Sequence, residues 1–226
     1  MNEERPGPEF LDPEIKAQYL DKGSTVEVQE LENLPAEVRD RIPEGYVIKE
    51  YFTKHDNGES KLLDSPLAIA KTLRQRQDGF QEYYGQELPD LVVKSNFVIG
   101  RNRDGEETIF EIQPKVNMWR DAVYAFGVRA GWEELKPEAQ ARAIQELEAF
   151  TRRTRALVDD PAKPELPDIF GAYNLLLTAE GKLRMIDTNI SFAQDKDPNL
   201  YQECVSRLTQ MEELVKELKS LSPTSA

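Results

Sequence analysis

The run N-L-L-L-T-A-E-G-K-L-R-M-I-D spans Asn174 to Asp187. Two apolar stretches, Leu175–Leu177 and Leu183–Ile186, flank a Glu180-Gly181 turn, and a polar residue stands at each outer end. An antiparallel hairpin of this form brings Asn174 and Asp187 to one end of the element. An amide oxygen and a carboxylate held on strands are hard donors, suited to a cation such as Mg²⁺. A plain hairpin with polar ends carries the same pattern, so the flanking sequence must separate the two readings.

Composition sets the outer limits. The chain has 226 residues, 39% hydrophobic and 31% charged, enough for one large domain or two small lobes. No apolar run approaches the roughly 20 residues of a membrane helix, so no membrane insertion is expected. The acidic, Pro-rich start M-N-E-E-R-P-G-P-E does not have the pattern of a signal peptide. The single cysteine, Cys204, excludes an internal disulfide and a cysteine-based metal site. It falls among apolar helix positions and reads as a buried thiol, and a reducing cytoplasm is the expected compartment. A formal net charge of −13 argues against nucleic acid as the main partner. An anionic ligand would then need a local cation or a metal. The one histidine, His55, lies in a polar turn-like segment, which disfavours a His base or a His-ligated zinc.

Along the chain, Gln18–Leu31 reads as two short strands around Asp21-Lys22-Gly23-Ser24, the second with Val26 and Val28 alternating with Thr25, Glu27 and Gln29, and Tyr46–Phe52 (Y-V-I-K-E-Y-F) is a strong strand. Leu34–Ile42 reads as a short helix. Pro66–Tyr84 is a predicted helix, with Ser65 as N-cap, Pro66 at the first position and Gly85 after it. Leu91–Gly100 and Thr108–Val116 read as a hairpin, and Trp119–Phe126 as a short helix. Pro137–Val158 repeats apolar residues every three or four positions, and Asn199–Leu221 does the same. Asp159–Pro167 reads as a Pro-rich loop.

That order of elements carries several motifs. Tyr46-Val47-Ile48-Lys49 places a cation on a strand. Asp21-Lys22-Gly23-Ser24-Thr25-Val26-Glu27-Val28 precedes it, with Gly23 in a turn and Val28 on the strand. Asp168 and Asn174 form D-x-x-x-x-x-N just before the hairpin. Ile186-Asp187-Thr188-Asn189 ends it. Together these resemble the protein-kinase-like superfamily over roughly 19–189, most closely its small, divergent bacterial members. Gly23 and Val28 are what remains of the G-x-G-x-x-G-x-V loop. Lys49 matches the lysine of V-A-I-K, Asp168 and Asn174 match the catalytic loop with one added residue, and Asp187 matches the aspartate of D-F-G. The separation of Asn174 from Asp187 is the one familiar in kinases. The usual His and Arg before Asp168 are replaced by Leu166 and Pro167, and Thr188 and Asn189 replace Phe and Gly.

The resemblance implies an α+β, two-lobed kinase-like fold with a reduced C-terminal lobe, since no A-P-E motif follows Asn189. It divides the chain into a tail (1–15), a mostly β lobe with one helix (16–113), a mostly helical lobe carrying the hairpin (114–221) and a second tail (222–226). It implies ATP and Mg²⁺ as ligands in a cleft between the lobes. Gly23, Val28 and Lys49 would lie at the phosphates. Gln113 and Lys115 would offer backbone groups to the adenine, and Asn174 and Asp187 would hold the metal. Asp168 would position an acceptor hydroxyl, making Asp168 and Lys49 the catalytic pair. Glu82 is the helix glutamate expected to pair with Lys49. The implied activity is γ-phosphoryl transfer to a small-molecule or unusual protein hydroxyl. The alternative is an inactive, pseudokinase-like regulatory or scaffold protein.

Overall fold

The computed structural model describes residues 25–29, 46–52, 65–101, 107–116, 128–160, 165–169, 174–188, 191–194 and 198–221. The two tails, Gly23, His55 and the expected helices at Leu34–Ile42 and Trp119–Phe126 lie outside these. The described residues form a mixed α+β structure of small antiparallel sheets and three α-helices. The chain divides into two compact units. One comprises Met1–Gln75 with Lys94–Lys115, and the other Arg76–Val93 with Val116–Ala226.

The first unit is built on a four-stranded antiparallel sheet. Its strands are β1 (Thr25–Gln29), β2 (Tyr46–Phe52), β3 (Asn96–Arg101) and β4 (Glu107–Pro114), in the order β1-β2-β4-β3. The β-branched and aromatic residues of β2 and β4 fill both faces of the sheet. Ile48, Phe110 and Ile112 cluster on one face. Tyr51 and Ile109 lie on the other, packed with Leu73 and, less deeply, Ile69 and Ala70 of helix α1 (Pro66–Tyr84). Proline suits the first position of α1 because its missing N–H would have no intrahelical partner there. The N–H of Ala68 reaches the Ser65 hydroxyl at 3.4 Å and the Ser65 carbonyl at 2.9 Å, so the cap is mainly a backbone one. Residues 66–75 of α1 belong to the first unit and 76–84 to the second.

The second unit has one large core. Phe80 and Tyr84 of α1 meet α2 (Pro137–Val158), which buries Ala143, Ile144, Leu147, Phe150, Thr154 and Leu157 at helical spacing. Pro137 opens α2, Glu138 lies in its first turn and Arg155 in its last, each charge matching the helix dipole. The last helix, α3 (Pro198–Leu221), buries Tyr201, Cys204, Leu208, Met211 and Leu218. Arg155 clamps it with a two-pronged bond to Glu212, Nε–Oε1 2.9 Å and Nη2–Oε2 2.8 Å.

Three local readings change. Leu91–Val93 does not extend β3. The N–H of Val93 donates to the Met185 carbonyl and that of Met185 to the Leu91 carbonyl, so the segment runs beside the later hairpin. Glu165–Pro167, read as loop, is a strand (β5) that pairs with β8 (Ser191–Ala193). Residues 128–134 form a 3₁₀ helix that the apolar pattern does not announce. Short strands carry too few residues for periodicity to show, and their pairing partners lie far off in sequence.

Candidate functional site

The hairpin forms as the sequence predicts. β6 (Leu175–Leu177) pairs antiparallel with β7 (Leu183–Met185), Leu175 facing Met185. The turn closes through Gly181 N–H to the Thr178 carbonyl and Thr178 N–H to the Lys182 carbonyl, both 2.9 Å. Gly181 has φ of 75°, a left-handed conformation that glycine adopts without strain. At the open end, Ile186 N–H donates to the Asn174 carbonyl at 3.0 Å. That bond seats Asn174 opposite Ile186 and so places Asp187 one residue from it across the ladder.

Asp168 follows β5 and is 6% exposed, as is Asn174. The Asn174 amide nitrogen donates to the Asp168 carbonyl at 3.1 Å. Only nitrogen can serve there, because a carbonyl accepts and cannot donate. The bond therefore fixes which way the amide lies and turns its oxygen away from Asp168. Asn174 is thus tied to Asp168 through its amide and to Ile186 through its backbone carbonyl, and Asp187, the residue after Ile186, is half-buried. An amide oxygen and a carboxylate are both hard donors, the chemistry Mg²⁺ favours while keeping several of its waters. Among the described residues, no cluster of three or more His, Cys, Asp or Glu offers an all-protein cage for another metal.

Helix α2 anchors the hairpin from the side. The Glu146 carboxylate accepts the N–H of Leu183 at 2.6 Å, which covers an edge of β7. Burial raises the Glu146 carboxyl above its ordinary value, while the Leu183 N–H, Arg184 and Lys182 pull it down. A raised carboxyl binds its proton more tightly in the fold than in the unfolded chain. Its stabilising contribution is complete below the ordinary value of 4.5 and is lost as pH rises through the raised one. Glu146→Gln keeps an acceptor oxygen for Leu183 and cannot ionise. It should match or exceed the wild type in urea unfolding at pH 7, with a smaller fall in stability as pH rises past the ordinary carboxyl value. A loss above about 1 kcal/mol at pH 7 would show instead that the charged hydrogen bond outweighs desolvation.

In the first unit, Val28 faces Lys49 directly across the β1–β2 register. Lys49 is buried, 8% exposed, and its ammonium lies 3.6 Å from the Glu111 carboxylate. A carboxylate paired with Lys49 is thus a strand residue, and Glu82, the helix glutamate expected to pair with Lys49, is an exposed residue of α1. Glu111 also accepts the Tyr51 hydroxyl at 2.6 Å and the Ser95 hydroxyl at 2.5 Å. Gln113, buried, donates its side-chain amide to the Ser95 oxygen at 3.1 Å. The β3 ladder ends at Asn96 opposite Ile112, so beyond that point β4 is laddered by β2 alone. Lys115 is exposed just past the strand.

Sequence reasoning missed Glu111, Tyr51 and Ser95. A signal for the first was available. Glu111 is the one charge inside the buried stretch 108–113, and a buried carboxylate requires a cation or several donors. Two surface pockets of the second unit, about 710 and 370 Å³, surround Trp132 and Ala139, and neither is lined by Asp168, Asn174 or Asp187.

Among the described residues, no helix is long and apolar enough to cross a membrane. No protein-family model matches the chain, and no curated protein matches it. Among solved structures, a co-crystal of WbdD with a kinase inhibitor matches at 13% identity and TM-score 0.34, covering 80% of this chain and 43% of that one. Monomeric WbdD matches at 18% identity and TM-score 0.36, covering 83% and 41%. The chain thus spans about two fifths of the length of the WbdD chains it matches. It bears a distant structural similarity to WbdD.

Proposed function

We propose that this chain is a minimal kinase-like protein that binds ATP with Mg²⁺, with an N-terminal lobe over 16–113 and a reduced C-terminal lobe over 114–221. The observation that carries the reading is the locked Asn174. Its amide nitrogen is spent on the Asp168 carbonyl and its own carbonyl on the Ile186 N–H, which leaves the amide oxygen as its remaining donor atom for a cation, one ladder position from Asp187. Asn174 and Asp187 would hold Mg²⁺, which neutralises phosphate charge when bound. Lys49 contacts the phosphates as a compact cation on a strand. Gly23 and Val28 cover them, and the backbone of Gln113 and Lys115 meets the adenine. Asp168 orients an acceptor hydroxyl for γ-phosphoryl transfer, with a small molecule or an unusual protein as acceptor.

Nucleotide binding without transfer, in a pseudokinase-like regulatory or scaffold protein, is favoured by one observation. Leu166 and Pro167 stand before Asp168 where the kinase catalytic loop has His and Arg. Turnover of γ-labelled ATP by the wild type and Asp168→Asn separates the two. Turnover that requires Asp168 supports transfer, and its absence in the wild type supports binding alone.

Binding itself is tested by thermal unfolding with ATP and Mg²⁺. A ligand at 100 times its Kd stabilises the folded state by about 2.7 kcal/mol. The wild type should show a magnesium-dependent rise in Tm, and Asp187→Ala should lose the magnesium dependence while melting normally without ligand. No rise at millimolar ATP would overturn the reading.

A further inference from the structure

We propose that Glu111 positions Lys49 for an anionic ligand through a strand-to-strand pairing. The inference rests on the reading of the chain as a nucleotide binder. Lys49 and Glu111 are direct partners in the β2–β4 register, so both side chains project from the same face of the sheet. Both are buried, and 3.6 Å separates the charges. The carboxylate is itself held: Tyr51, on the same strand and face as Lys49, donates to Oε2, and Ser95 donates to Oε1. Gln113 in turn donates to Ser95. Each member of this chain of bonds sits on the sheet or at the start of β3.

Lysine has a long, flexible stem, and a ligand that must immobilise it loses affinity. A carboxylate fixed on the adjacent strand removes that cost before the ligand arrives. The spacing of the pair is set by the sheet's own hydrogen bonds. The lysine is therefore held by a partner that belongs to the same sheet. Glu111 is in this sense a positioning residue that acts through Lys49.

A double-mutant cycle tests it, with ATP and Mg²⁺ as the probe and calorimetric Kd as the readout. Glu111→Gln should weaken ATP binding by about tenfold, as loss of a positioned cation would. In the Lys49→Gln background the same change should have almost no further effect, because Glu111 acts through the lysine. A purely structural role would weaken binding equally in both backgrounds and would overturn the proposal. If Glu111→Gln does not fold, Tyr51→Phe and Ser95→Ala loosen the carboxylate more gently. Each should then weaken ATP by about twofold to fivefold in the wild type only. Affinity unchanged in every variant, with the wild type binding ATP, would overturn this inference and leave the nucleotide reading intact. A wild type that fails to bind ATP would overturn both.

Discussion

Gly181→Ala should lower stability by roughly 2–5 kcal/mol, because two penalties fall on one methyl group. The first is conformational. With φ at 75° an L side chain meets its own backbone, at about 1–2 kcal/mol. The second is steric. A Cβ at this position would collide with the backbone carbonyl of Ala139, in the first turn of α2. A backbone carbonyl cannot rotate aside as a flexible side chain can, so either the turn or the start of α2 must shift, at about 1–3 kcal/mol. The same helix holds the hairpin at Glu146, so a shift there would carry to the end bearing Asn174. Urea unfolding measures the loss, and Gly181→Asn divides it. Asparagine tolerates the left-handed backbone but brings the same Cβ. Equal losses for the two variants would assign the effect to the collision. A loss below about 1 kcal/mol for alanine would contradict the close approach to Ala139.

Phe150→Ala should cost about 3–5 kcal/mol by emptying the centre of the second unit. Phe150 is fully buried on α2 and stacks on Tyr84, with ring centroids 5.4 Å apart. Tyr84, also fully buried, stands edge-on to Tyr83 at 5.0 Å. The hydroxyls here have one consistent arrangement. Thr154 donates its only hydroxyl proton to the Phe150 carbonyl, so Tyr84 must be the donor in its 2.9 Å bond to Thr154. Burial pushes the Tyr84 phenol far up from its ordinary value, so it remains a donor throughout the neutral range. Removing Phe150 leaves a cavity beside this bond as well as losing the ring's own burial. Chemical denaturation of Phe150→Ala and Phe150→Leu checks the magnitude, and leucine should recover a large part of it. Equal stability of Phe150→Ala and wild type would mean that the Tyr84–Phe150 stack is not formed.

Much of the candidate site was legible because its signals are local. The turn chemistry of Glu180-Gly181 and the apolar runs beside it specify the hairpin, and a two-stranded hairpin fixes which of its own residues meet. Asn174 and Asp187 therefore share an end by chain geometry alone. The helices at Pro66–Tyr84 and Pro137–Val158 were equally legible, since proline at the first position and apolar spacing of three and four act within a few residues.

The sequence by itself thus determined the long helices, the strong strands, the hairpin and the identity of the polar residues at its end. Tertiary structure alone decided three things. It paired Lys49 with Glu111, because strand register, and not distance along the chain, chooses cross-strand neighbours. It seated Leu91–Val93 against Met185 rather than in β3, because backbone groups pair with whatever edge packing presents. It turned the Asn174 amide, because only folding brings the Asp168 carbonyl within reach. Local physics selects elements from neighbours in sequence, whereas a buried charge and an oriented amide take their partners from residues that only folding brings near.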